Sequence, residues 1–344
     1  MSTTEAAPGI RSAKEVLGYA KSIVDPALRT VLGGLPGPMR HIGGYHLGWW
    51  DEHGSDTGGS GGKALRPALV LLAAEAVGGR AGRAVPGAVA VELVHNFSLL
   101  HDDVMDGDVT RRHRATAWSV FGAGPAILAG DSLLALAFDA LTEGGAGATA
   151  VRTLHAAVQD LMDGQHADLE FERRTDVTLP ECVRMAERKT GALLGCACAL
   201  GALAGGAGPE QVLLLRRFGE RLGLAFQLVD DLLGIWGTES VTGKPAFSDL
   251  RNHKKSLPVV AALTSGTPAG RELARLYLRE EPLEGDDLTR AAELIATAGG
   301  RGWTQARADA LLEQAWRDLT SAGVVPRATA ELGALARLVT RRDH

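Results

Sequence analysis

Apolar residues recur along most of the chain at three- and four-residue spacing, the period of a helix with one buried face, while sustained period-two alternation is absent. The expected fold is all-α, with no sheet. Ser12-Ala13-Lys14-Glu15 has the order of a capping box and opens a helix to about Leu32, which Asp25-Pro26 is expected to interrupt and restart. Further helices are predicted at about 66–77, 84–105, 125–141, 148–171, 179–203, 209–236, 255–263 and 270–278, with two or three more to 341. Gly and Pro punctuate the short connections, as at 78–79, 144–145, 205–208, 267–268 and 299–300. One long polar stretch, DEHGSDTGGSGG at 51–62, reads as a flexible loop rather than a linker, because what precedes it has too little apolar surface to fold alone. A single domain over 1–344 is expected, with 1–10 disordered.

Composition narrows the partners. The 344 residues carry 36 Lys+Arg against 41 Asp+Glu, a net charge of −5, so nothing favours coating nucleic acid or an anionic membrane. A phosphate-bearing partner must be met by local basic residues. Cys182, Cys196 and Cys198 lack the number and spacing of a disulfide framework or a zinc site, which points to a reduced, cytoplasmic setting. The N-terminus shows no secretory pattern, and apolar runs such as 68–74 fall short of the roughly 18 to 20 residues of a membrane span. Glycine is abundant, at 44 residues, and fits linkers, close helix packing or disorder.

The sharpest chemistry is His101-Asp102-Asp103-Val104-Met105-Asp106, at the end of an apolar helix. Asp102 and Asp106 lie one turn apart on one face, where like charges repel and the helix dipole is unfavourable for carboxylates. That spacing suits Mg²⁺, a hard cation that takes one or two carboxylates and completes its shell with water and phosphate. A second acidic pair, Asp230-Asp231, stands near the end of another apolar helix, and Gln227 shares a face with Asp230. Lys63 and Arg66 stand where a helix begins, a natural anion site, although Ala64 and the lack of a preceding strand exclude a Walker loop. Arg111-Arg112 follow the first acidic cluster, Lys189-Thr190 sit mid-chain, and Lys244 and Lys254-Lys255 bracket the loop after the second cluster.

The chain resembles the trans-isoprenyl diphosphate synthases, the head-to-tail prenyltransferases, over about residues 60–260. The resemblance is carried by GGKALRP (61–67), ELVHNFSLLHDDVMDGDVTRR (92–112), ERKTGALLG (187–195), FQLVDDLLG (226–234), TGK (242–244) and DLRNHKKSLP (249–258), in that order. It implies ten or more helices around a deep central cavity, usually in a homodimer, and a Mg²⁺-dependent condensation of isopentenyl diphosphate with an allylic diphosphate. By resemblance, Asp102 and Asp106 hold two Mg²⁺, with Asp103 beside them; Asp230 holds a third, with Asp231 in support. Arg111, Lys189 and Lys244 grip the allylic diphosphate, while Lys63, Arg66, His95 and Arg112 bind isopentenyl diphosphate. Thr190, Gln227 and the Lys189 carbonyl face the developing cation, and Lys254 helps to close the site.

Where the family usually has a third aspartate in the second motif, this chain has Gly234. That departure leaves open a terpene cyclase on the same scaffold or a weakly active helical partner subunit. Phe97 and Ser98, five and four residues before Asp102, lie about 7 Å down the helix at 1.5 Å per residue, where a growing tail would descend. With no insertion in the first motif, the resemblance favours a C15 to C20 product, leaning to geranylgeranyl diphosphate. Phe97 is equally readable as core packing.

Overall fold

The computed structural model describes residues 9–59, 62–238, 246–279 and 281–340. In chain order the helices are α1 (Ala13–Gly33), α2 (Gly37–His46), α3 (Leu65–Ala76), α4 (Ala81–Met105), α5 (Ala117–Phe121), α6 (Ala123–Glu143), α7 (Ala148–Arg173) and α8 (Leu179–Ala186). A π-helical turn (Glu187–Gly191) leads into α9 (Ala192–Gly205), α10 (Pro209–Trp236), α11 (Ser248–Arg251), α12 (Leu257–Leu263), α13 (Pro268–Tyr277), α14 (Asp286–Thr297), α15 (Gly300–Ser321) and α16 (Pro326–Thr340). Two compact units share the chain: Met1–Leu154 with Ala197–Arg216 and Asp318–Leu338, and His155–Cys196 with Arg217–Arg317 and Val339–His344.

Besides α2, α5 and α11, which the sequence pattern did not show, three features depart from the pattern read in the sequence. First, α1 runs unbroken through Pro26 from its Ser12–Glu15 capping box. Val16, Ala20, Val24, Leu28 and Leu32 form one buried stripe along it. Burying the larger of these side chains, at about 1.5–3 kcal/mol each, outweighs the roughly 3 kcal/mol cost of an interior proline. Second, the predicted helix at 179–203 is broken by the π turn, whose cause lies in glycines on neighbouring helices. A Cβ on Gly164 would strike the backbone of Lys189, and one on Gly223 would lie 2.7 Å from the Cα of Gly191. Third, a two-stranded antiparallel hairpin, β1 (Thr110–Arg111) and β2 (Arg114–Ala115), stands where no sheet was expected. Arg112 and His113 turn it with φ of 52° and 61°, the left-handed pair that a two-residue hairpin turn requires.

In the first unit, α3 is buried along nearly its whole length, and Gly201 of α9 leaves room for the Val70 carbonyl. Gly130 on α6 likewise leaves room for the His101 ring of α4. Among the described residues, α6 alone is long and apolar enough by length and composition to cross a membrane, and it packs Ala126, Gly130, Leu133 and Ala137 inward. In the second unit one core gathers Phe171, Cys182, Leu224, Leu228, Leu257 and Leu311, and another gathers Ile235, Val259, Leu273, Tyr277, Leu288 and Ile295.

Ion pairs tie the termini of the first unit together. Arg11 donates from its backbone N and Nε to Glu331 Oε1 at 3.0 Å each, and from Nη2 to Glu331 Oε2 and Glu75 Oε2 at 2.7 Å each. Arg327 also donates to Glu75, at 2.5 Å. The Glu331 side chain is 0% exposed. Burial works to raise its pKa, but the bonds and charge of Arg11 prevail and hold it below the ordinary range. Its stabilisation is therefore present above the unfolded pKa and lost as pH falls through the depressed folded value. Arg11→Ala leaves the buried Glu331 with Arg327, at 3.9 Å, as its remaining cation, and is expected to cost about 3 kcal/mol in urea unfolding at pH 7, with the difference shrinking below about pH 4.

Candidate active site

In the first unit α4 delivers the acidic motif. The Asp106 N–H donates to the Asp102 carbonyl at 2.8 Å, closing the last turn and keeping the two aspartates on one face. Asp103 points inward, where Arg111 Nε donates to its Oδ1 at 2.6 Å. Its other oxygen is buried and has no hydrogen-bond partner among the described residues. Burial raises the pKa of this carboxyl, against the pull of Arg111. The hairpin turn carries Arg112 to Gly62, where an added Cβ would meet its guanidinium at 3.0 Å. Lys63, next along, is exposed.

His95 lies in the field of Arg66 and Arg112, and burial together with those charges holds its pKa well below the ordinary value, so it acts as a neutral imidazole. The Phe97 ring is buried and meets the His101 ring edge-on at 4.7 Å, while Ser98 Oγ donates to the His95 carbonyl at 2.8 Å. Nearby, a pocket of about 390 Å³ opens among His46, Asp103, Arg111, Arg112 and Arg114.

In the second unit a hydrogen-bonded line runs through the other predicted residues. Thr190 Oγ1 donates to Gln227 Oε1, and Gln227 Nε2 donates to Asp231 Oδ1, both at 2.8 Å; the Leu257 N–H donates to Asp231 Oδ2 at 3.0 Å. Asp231 is 3% exposed, and burial pushes its pKa up to about 6 despite Lys254 at 3.8 Å. Burial also disfavours the Lys254 ammonium, but Asp231, Asp249, Asp168 and Asp230 overcome it and hold its pKa above the usual lysine range. The π turn presents Lys189, whose Nζ lies 2.5 Å from Asp168 Oδ2. Lys244 lies outside the described residues.

These donors suit Mg²⁺. They are hard oxygens, one of them the orphaned, buried Oδ2 of Asp103. Among the described residues no three His, Cys, Asp or Glu side chains gather into a metal cage.

Four residues here were not singled out in the sequence. Asp168 pairs with Lys189 from 21 positions away. Asp249 stands 4.0 Å from Lys254, and its carboxylate fills the space beside Gly234, 2.5 Å from where a Cβ would be. Gln165 is 6% exposed with both ends of its amide unpartnered among the described residues. His46 lines the pocket of the first unit. The available signal was helical: Gln165 and Asp168 share a face one turn apart on α7.

The polyprenyl synthetase family matches residues 49–295. A (2E,6E)-farnesyl diphosphate synthase of Mycobacterium tuberculosis is 46% identical over 333 residues, covering 95% of this chain and 93% of its own length. A geranylgeranyl diphosphate synthase of the same organism is also 46% identical, with coverage of 96% and 94%. The crystal structure of a polyprenyl synthetase from Streptomyces coelicolor superposes with a TM-score of 0.91 at 45% identity, covering 95% of this chain and 99% of that one. That of a geranylgeranyl pyrophosphate synthase from Corynebacterium glutamicum, complexed with isoprenyl diphosphate and magnesium, gives 0.79 at 25% identity, with coverage of 98% and 100%. The terpene cyclase reading that Gly234 left open finds no support: these relatives are named diphosphate synthases. Matched across most of its length by the polyprenyl synthetase model and by proteins named farnesyl and geranylgeranyl diphosphate synthase, the chain belongs to the polyprenyl synthetase family.

Proposed function

We propose that the chain, acting as one prenyltransferase domain over 1–344, condenses isopentenyl diphosphate with an allylic diphosphate to give a C15 to C20 product, leaning to geranylgeranyl diphosphate. The observation that carries this reading is that each acidic motif has a cation at its side, Arg111 on Asp103 at 2.6 Å and Lys254 between Asp231 and Asp249. Such an alternation of charge suits a magnesium diphosphate and is out of place on an inert surface.

Asp102, Asp106 and Asp230 would hold three Mg²⁺, with Asp103 and Asp231 in support. Bound there, the ions would neutralise the diphosphate as its charge grows. Arg111, Lys189 and Lys244 bind the allylic diphosphate most tightly as it departs, which lowers the barrier to breaking the allylic C–O bond. Lys189 exchanges Asp168 for the phosphate. Thr190, the Gln227 amide oxygen and the Lys189 carbonyl turn dipoles toward the allylic cation. Lys63, Arg66 and Arg112 hold isopentenyl diphosphate by charge and the neutral His95 by hydrogen bonding. Its π-bond attacks the cation, and the proton then lost passes to the released diphosphate. Lys254 helps to close the site, and the apolar helix walls keep out water that would quench the cation.

Relatives named for farnesyl and for geranylgeranyl products are equally similar to this chain, so the product rests on Phe97 and Ser98. Exposed Ile127 and Leu128 on α6 give a homodimer an apolar face, and a cytoplasmic setting suits the three free cysteines.

The defining experiment incubates the protein with Mg²⁺, labelled isopentenyl diphosphate and dimethylallyl, geranyl or farnesyl diphosphate. Label is expected in a C15 to C20 product, and its failure to enter any product overturns the reading. Asp102→Ala is expected to lower kcat by roughly 10²-fold or more, given the several kcal/mol that metal-ion stabilisation supplies. Phe97→Ala is expected to lengthen the products on chromatography, whereas an unchanged distribution would leave Phe97 as core packing.

A further inference from the structure

The pocket of about 390 Å³ in the first unit carries more positive charge than its own residues neutralise. Arg111 is taken by Asp103 at 2.6 Å. Among the described residues Arg114 donates to backbone, to the Tyr45 carbonyl at 3.0 Å and the Trp50 carbonyl at 3.1 Å, and lies over the Tyr45 ring at 4.5 Å, so it is anchored with no carboxylate to cancel its charge. Among the described residues, neither Arg112 nor Arg114 forms an ion pair with a carboxylate. Into this field projects His46, the last residue of α2. Its Nε2 is out of contact with solvent and has no hydrogen-bond partner among the described residues. Burial, then Arg112 and Arg111, depress its pKa to about 3, which keeps the ring neutral across the physiological range.

A buried ring nitrogen without a partner is costly unless something completes it. Two uncancelled guanidiniums specify an anion, and a neutral imidazole offers it an N–H without adding another positive charge to the three arginines. We infer that His46 is a substrate-binding residue of this pocket, its Nε2–H donating to a diphosphate oxygen of isopentenyl diphosphate beside Arg112. The inference rests on the synthase reading for the identity of the ligand, and adds a contact from α2, outside every motif that carries the family resemblance.

The test is calorimetric titration of isopentenyl diphosphate alone into the wild-type protein, His46→Leu and His46→Gln, with melting temperatures measured in parallel. A hydrogen bond to a charged group predicts that Leu weakens Kd about tenfold or more and that Gln, which keeps a donor, recovers most of the loss. In steady-state assays Leu should raise KM for isopentenyl diphosphate and leave KM for the allylic substrate unchanged. Wild-type affinity in His46→Leu overturns the inference, as does a Gln variant that binds no better than Leu. A wild-type protein that binds isopentenyl diphosphate without incorporating it overturns the synthase reading instead, and the binding comparison still decides the role of His46.

Discussion

Carboxylates crowded at the C-terminal ends of apolar helices meet two penalties, their mutual repulsion and the negative end of the helix dipole. The arrangement around both acidic motifs follows from the need to offset them. Arg111 reaches Asp103 because Gly107, at φ 68°, and the hairpin after it fold the chain straight back onto the end of α4. In the second unit Lys254 is set by α11 and the turn after it, with Tyr277 Oη donating to the Lys254 carbonyl at 2.8 Å. The cations are thus fixed by backbone geometry before any substrate arrives, the kind of preorganisation that electrostatic catalysis requires.

Several glycines serve close approach. Gly164 and Gly223 admit neighbouring backbone around the π turn that presents Lys189 and Thr190. A π turn takes in an extra residue and is rare, so it persists where surrounding packing imposes it. The glycines at 201 and 205 play the corresponding part against α3 and its end.

Much of this was legible in advance, and the divisions are physical. Periodicity marked α10 to its ends and most of α4, because long apolar repeats leave a helix no competitor. It misjudged Pro26, where a buried stripe overrode a local breaker, and missed the π turn, whose cause sits on other helices. The hairpin was hidden because two residues per strand cannot show alternation. In the candidate site, the motif residues stood out through their charge and spacing, and the structure brings Arg66, His95 and Arg112 into one electrostatic neighbourhood. Their partners did not stand out: Asp168 lies in ordinary helical sequence, Asp249 lies within a motif that gives it no role, His46 sits on an unforeseen helix, and only tertiary folding brings them to Lys189, Lys254 and the arginines.

Gly234 and Asp249 form a pair related by exclusion. The carboxylate of one occupies the volume that a side chain on the other would need. Two positions coupled in this way do not vary independently. A larger residue at 234 displaces Asp249 and, through it, Lys254, so the effects of changes at the two positions cannot simply be added. The protein fills this point with negative charge from 249, and a side chain introduced at 234 finds room only where that carboxylate moves aside.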